Sequence, residues 1–128
     1  MITVTLPWPD AKLSPNGREH WAAKKDVVKA ARTYAWALAL EVMVAQPAYV
    51  STEIPLAVRF DFYPPNKRHF DLDNLVARMK AAQDGIFDAL GINDRKITRI
   101  EANRLGVVKG GKVVITVEPK SDGREMEY

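Results

Sequence analysis

Four stretches of this chain place apolar residues at every second position, and two longer stretches among them place apolar residues at helical spacing. Few folds satisfy that order. Residues 2–6 put Ile2, Val4 and Leu6 on one face and Thr3 and Thr5 on the other, which predicts a strand ended by Pro7-Trp8-Pro9. After the turn formers Ser14-Pro15-Asn16-Gly17, the pattern from about 18 to 46 is helical, with Trp21, Val28, Ala31, Ala35, Leu38 and Val42 on one side. Residues 54–63 alternate again, with Leu56, Val58, Phe60 and Phe62 facing one way. A second helix is expected over 73–90, with Leu75, Met79, Ala82, Ile86 and Leu90 as its core stripe and Gly91 as a left-handed C-cap. Strands over 97–105 and 112–118 are expected to flank a turn at Lys109-Gly110-Gly111. The order βαβαββ describes an α/β (α+β) fold, a small mixed sheet with two helices packed on it.

The chain has 128 residues, which suits one domain over 1–119 with a polar, mobile tail over 120–128. It has no cysteine, so disulfides, thiolate zinc sites and cysteine nucleophiles are excluded, and a cytoplasmic setting fits. No signal-peptide pattern opens the sequence, and no apolar run approaches the roughly 20 residues that span a bilayer. Net charge is +3; residues 118–128 carry four acids and two bases, which leaves +5 on the rest. A mildly basic body with acids at a few places suits an anionic partner and a metal bound by carboxylates, although an ordinary basic protein has the same balance.

The densest chemistry lies in Lys67-Arg68-His69-Phe70-Asp71-Leu72-Asp73-Asn74-Leu75. Bases lead into two acids one residue apart, and in extended backbone such a pair points the same way. Mg²⁺ accepts a few carboxylates of this kind together with water and substrate phosphate. Asp73 directly before an apolar-periodic run also reads as an N-cap, and both readings stay open. Asp94 lies past the far end of the second helix, and it joins the first two acids only if the chain after Gly91 doubles back. Lys80 and Asp84 are four apart on that helix: either a surface ion pair, or a cation beside a phosphate. Lys25, Lys29 and Arg32 form a basic stripe on the first helix, read either as a solvated face or as a rail for phosphates. His20 and His69 have no partner at ligand spacing.

Asp71-Leu72-Asp73-Asn74-Leu75, followed by Lys80-x-x-x-Asp84 and Asn93-Asp94, resembles the RusA family of Holliday junction resolvases. Thr5-Leu6-Pro7-Trp8-Pro9 is similar to that family's opening strand, and Lys109-Gly110-Gly111 with the alternating residues after it to its final hairpin. The resemblance implies a homodimeric, Mg²⁺-dependent endodeoxyribonuclease (Mn²⁺ as possible substitute) that nicks four-way junctions in pairs during recombination and repair. It implies Asp71, Asp73 and Asp94 as metal ligands and Lys80 as catalytic cation. Ala77 stands at the ungapped lysine position, so Arg78 competes for that role. Lys25, Lys29, Arg32, Lys67, Arg68 and Arg78 are the expected DNA contacts, and helix residues Trp36 and Leu40 the expected dimer surface. The rival expectations are a phage nuclease acting on other branched DNA before packaging, and a non-catalytic DNA-binding module.

Overall fold

The computed structural model describes residues 1–15, 21–45 and 55–120. Strand β1 (Ile2–Pro7) is followed by a short 3-10 helix (Ala11–Leu13), helix α1 (Trp21–Ala45) and strand β2 (Leu56–Tyr63). Helices α2 (Leu72–Arg78) and α3 (Lys80–Leu90), a second 3-10 helix (Asp94–Lys96), and strands β3 (Ile97–Arg104) and β4 (Lys112–Pro119) complete the single α+β domain. The tail residues 121–128 lie outside the described residues, as do the expected ends of the first helix.

The sheet is four-stranded and mixed, in the order β1-β4-β2-β3. Its register explains the period-2 pattern: Val4 lies beside Ile115, Ile115 beside Phe60, and Phe60 beside Ala102. Val4, Ile115 and Phe60 are each 1 % exposed, so this row is the floor of the core. Helix α3 covers it with Ile86 and Phe87, while α1 contributes Ala35 and Ala39 as its fully buried residues. Small residues let the helices approach. A Cβ added to Gly85 would run into the Arg32 carbonyl and lie 3.1 Å from the Trp36 nitrogen, so glycine sets the α1–α3 spacing. The expected α1 stripe is narrower than read: Leu38 and Val42 are half-buried and Val28 is 38 % exposed.

Two expectations are corrected. The helix over 73–90 is two helices broken at Met79 (φ −89°, ψ 0°), where the Met79 amide bonds the Val76 carbonyl at 3.0 Å, an i−3 step that tightens the turn. No proline or glycine announces the break, and Met79 still reaches the core at 2 % exposure. The last two strands form no hairpin. β3 pairs in parallel with β2, and β4 is inserted between β2 and β1. The intervening loop crosses the end of β2, donating from Leu105 to the Phe62 carbonyl (2.8 Å) and from Val108 to the Pro64 carbonyl (2.9 Å). Gly110 and Gly111 supply the positive φ angles of that crossing (80° and 72°), and Gly91 closes α3 with φ 69° as expected.

Candidate functional site

The acidic segment stands where β2 and β3 end together, because their parallel register brings Arg104 beside Phe62. Arg104 Nη1 donates to the Phe70 carbonyl at 2.7 Å, fixing the peptide just ahead of Asp71. Trp8 packs edge-on against Phe62 and Phe70, with centroids 6.1 and 5.0 Å apart, and the Arg68 guanidinium lies 5.9 Å from the Phe70 ring. The chain thus enters α2 from a braced loop. Asp71, in extended backbone (φ −71°, ψ 119°), caps the helix: its Oδ1 accepts from the Asp73 amide at 3.1 Å. The N-cap is therefore Asp71 and not Asp73, because the helix begins at Leu72, three residues before its buried position, Leu75. Asp73 falls in the first turn, where the helix dipole favours a negative charge. Among the described residues no side chain bonds its carboxylate, and the Asn74 Oδ1 beside it is buried without a partner.

Lys80 opens α3, and its Nζ donates to Asp84 Oδ1 (2.9 Å) and Asp94 Oδ2 (3.1 Å). These bonds hold the lysine pKa above its ordinary value. The chain after Gly91 does double back, then, but it delivers Asp94 to Lys80. Asn93 starts the 3-10 helix by accepting from the Arg95 amide (2.9 Å). Next to this cluster, Arg32 of α1 grips Asp88 of α3 through Nε (2.8 Å) and Nη2 (3.1 Å), which raises the arginine pKa and lowers that of Asp88. A cavity of about 330 Å³ is lined by Arg32, Lys80, Asp84, Asp88 and Asp94.

The three expected ligands are not assembled around one point. Among the described residues no group of three or more His, Cys, Asp or Glu side chains could hold a metal ion. Asp73 and Lys80 are seven residues apart, about 10 Å of helix, with Asp84 a further turn on. Asp71 and Asp73 nevertheless suit a hard divalent ion: both are exposed carboxylates at one helix start, and one has no competing protein donor among the described residues.

Of the expected DNA contacts, Lys67 and Arg68 are exposed on the loop before the acids, and Lys25 and Lys29 are exposed on α1. Arg32 is engaged by Asp88. Arg78, the rival cation, donates to the Pro9 carbonyl at 3.3 Å and lines a mostly apolar cavity of about 530 Å³ with Trp8 and Tyr34. That larger cavity includes none of the three expected acids. The sequence reading missed Arg104, since only the parallel pairing of β2 and β3 reveals its neighbour. No described helix is long and apolar enough to cross a membrane.

No family model matches the chain. An uncharacterized protein of Xylella fastidiosa is 42 % identical over 121 residues, covering 91 % of this chain and 76 % of the relative, and this chain belongs to the same family. The crossover junction endodeoxyribonuclease RusA of Escherichia coli K12 is 28 % identical over 122 residues, 90 % of this chain and 92 % of that protein. The enzyme of the same name from Enterobacteria phage 82 is 25 % identical over 121 residues, covering 89 % and 91 %. The likeness to RusA resolvases is weak to moderate in identity and spans most of the chain.

Proposed function

We propose that this chain is a RusA-type endodeoxyribonuclease that resolves four-way DNA junctions by paired, divalent-metal-dependent nicking as a homodimer. The observation that carries the reading is the Asp71–Asp73 pair, held at a helix start by a braced loop. The near end-to-end likeness to crossover junction endodeoxyribonucleases supports it. Asp71 and Asp73 would hold Mg²⁺ or Mn²⁺, and Asp94 stands as the third acid in this reading. When bound, such an ion lowers the pKa of water and offsets charge at a phosphate.

The chain's own residues do the rest. Arg104 and the Trp8–Phe70 contact keep the acid-bearing backbone from shifting. Asp71 uses one oxygen for the cap, and this orients its carboxylate relative to Asp73. Lys80 supplies a positive charge steadied by two carboxylates, suited to a phosphate oxygen. Lys67, Arg68, Lys25 and Lys29 contact the DNA backbone, which gives affinity without sequence preference. Arg32 and Arg78, already bonded to Asp88 and Pro9, play a smaller part.

The test is direct. Labelled four-way junction, fork and linear duplex are incubated with the protein in Mg²⁺ or EDTA. Paired nicks in the junction alone, abolished by EDTA, are expected. Absence of metal-dependent nicking would remove the nuclease reading, and equal cutting of the fork would remove the junction preference.

A further inference from the structure

The loop that follows β3 is pinned to the sheet, yet it leaves its apolar side chains outside. Leu105 donates its amide to the Phe62 carbonyl (2.8 Å) and Val108 to the Pro64 carbonyl (2.9 Å), while the Gly111 amide returns to Val108 (2.8 Å). The backbone on both sides of Val107 is therefore fixed to the end of β2. Even so, Leu105 is 42 % exposed and Val107 50 %. Both line one cavity of about 340 Å³, with Pro64 between them and β2. The rest of its wall carries bases, Lys67, Arg68 and Arg104 with His69 beside them, and no described residue of the lining is acidic. Arg104 is held by its Nη1 bond to the Phe70 carbonyl (2.7 Å), and among the described residues its other N–H groups have no partner.

A cavity that is cationic on one side and apolar on the other matches a ligand divided in the same way. Paired, stacked DNA is not: its phosphates lie outside and each base face is covered by its neighbours. Lys67, Arg68 and Arg104 could meet such a duplex, but Leu105 and Val107 would have nothing apolar to cover. An apolar peptide would leave the cationic wall unanswered. An unstacked nucleotide satisfies both walls, with a phosphate at one end and a bare base face at the other, and every base has such a face. Aliphatic side chains that enter a base step hold DNA unstacked in the same manner. The place also fits. His69 is two residues ahead of Asp71, at most about 7 Å of chain, so a nucleotide in the cavity neighbours a phosphate at the acids.

We propose that this cavity seats one unstacked nucleotide of the branch point, its phosphate on Arg68 and Arg104 and its base against Leu105 and Val107. Resting on the junction-cutting reading for its substrate, the seat adds a means of telling a branch point from duplex within a single chain. Duplex engages the bases alone; a branch point engages both walls. The fixed backbone means that the apolar side is ready before DNA arrives.

The test titrates the full chain, in EDTA, into a four-way junction and a linear duplex. Each DNA carries 2-aminopurine at successive positions beside the crossover or at the equivalent duplex positions; this base fluoresces weakly when stacked and brightly when it is not. Wild type should raise the junction signal about threefold or more at one position and leave the duplex signal unchanged. Leu105→Ser combined with Val107→Ser should abolish the rise and weaken junction binding about tenfold, with duplex affinity kept within about twofold. Val107→Ser alone should reduce the rise, Leu105→Met should keep it, and unchanged thermal midpoints should report intact folds at these exposed positions. No rise with wild type, a rise that survives the double substitution, or equal loss of junction and duplex binding overturns the seat. A rise without any Mg²⁺-dependent cutting overturns the nuclease reading alone, cutting without a rise overturns the seat alone, and no binding to either DNA overturns both.

Discussion

The two ends of the α2–α3 helical line hold similar side chains in opposite states. At the start of α2, Asp71 and Asp73 stand together with no cation bonded to either carboxylate among the described residues. One helix further, Asp84 and Asp94 share Lys80, and Asp88 is taken by Arg32. Counting acids does not separate these clusters; asking which negative charge is already answered does. The first end can accept an ion without displacing a protein cation. The second is internally neutralised, and its ion pairs tie α3 to α1 and to the chain that follows Gly91.

The contrast can be broken most forcefully at the acids. Asp71→Asn and Asp73→Asn should each lower junction cutting by more than about a hundredfold in single-turnover assays. Asn caps nearly as well as Asp, so Asp71→Asn should change unfolding stability by no more than about 0.5 kcal/mol, measured by denaturant titration. Gly85→Ala addresses the frame of the other end. Its Cβ has no room against the Arg32 carbonyl, so it should destabilise the fold by about 2–3 kcal/mol.

Lys80→Met sharpens the comparison further. Cutting should fall about tenfold or more, while stability changes by less than about 1 kcal/mol, since the lysine is 63 % exposed in both ion pairs. The smallest effect concerns pH. Arg32 holds the Asp88 carboxyl below its ordinary value, so this pair stabilises the fold above the usual aspartate range and ceases to do so as pH falls through the depressed value. Thermal unfolding from neutral pH down to about pH 2 should show a slightly steeper acid loss for wild type than for Asp88→Asn. Salt should reduce the difference, because the pair is exposed.

Much of this was legible in the sequence because it depends on local pattern. The alternation of Leu56, Val58, Phe60 and Phe62 and the left-handed Gly91 required only neighbouring residues. The Lys80–Asp84 spacing likewise gave its ion pair. The break at Met79 left no mark in residue type. The place of β4 between β1 and β2 depends on pairing partners far apart in sequence, and the alternating residues of β3 and β4 fit a hairpin equally well. Asp94 shows the same limit: the chain does fold back, but only the structure says that it meets Lys80. Arg104 was invisible for that reason too, since its role exists only once β3 lies parallel to β2.

The central claim is that the uncompensated pair Asp71 and Asp73 carries the metal chemistry, whereas Asp84 of the neutralised cluster serves only to steady Lys80. The most direct measurement compares Mg²⁺-dependent junction nicking and junction binding for Asp73→Asn and Asp84→Asn. The account predicts that Asp73→Asn binds junction like wild type without cutting it, and that Asp84→Asn retains most of its cutting. Full activity in Asp73→Asn, or its loss in Asp84→Asn alone, would contradict it.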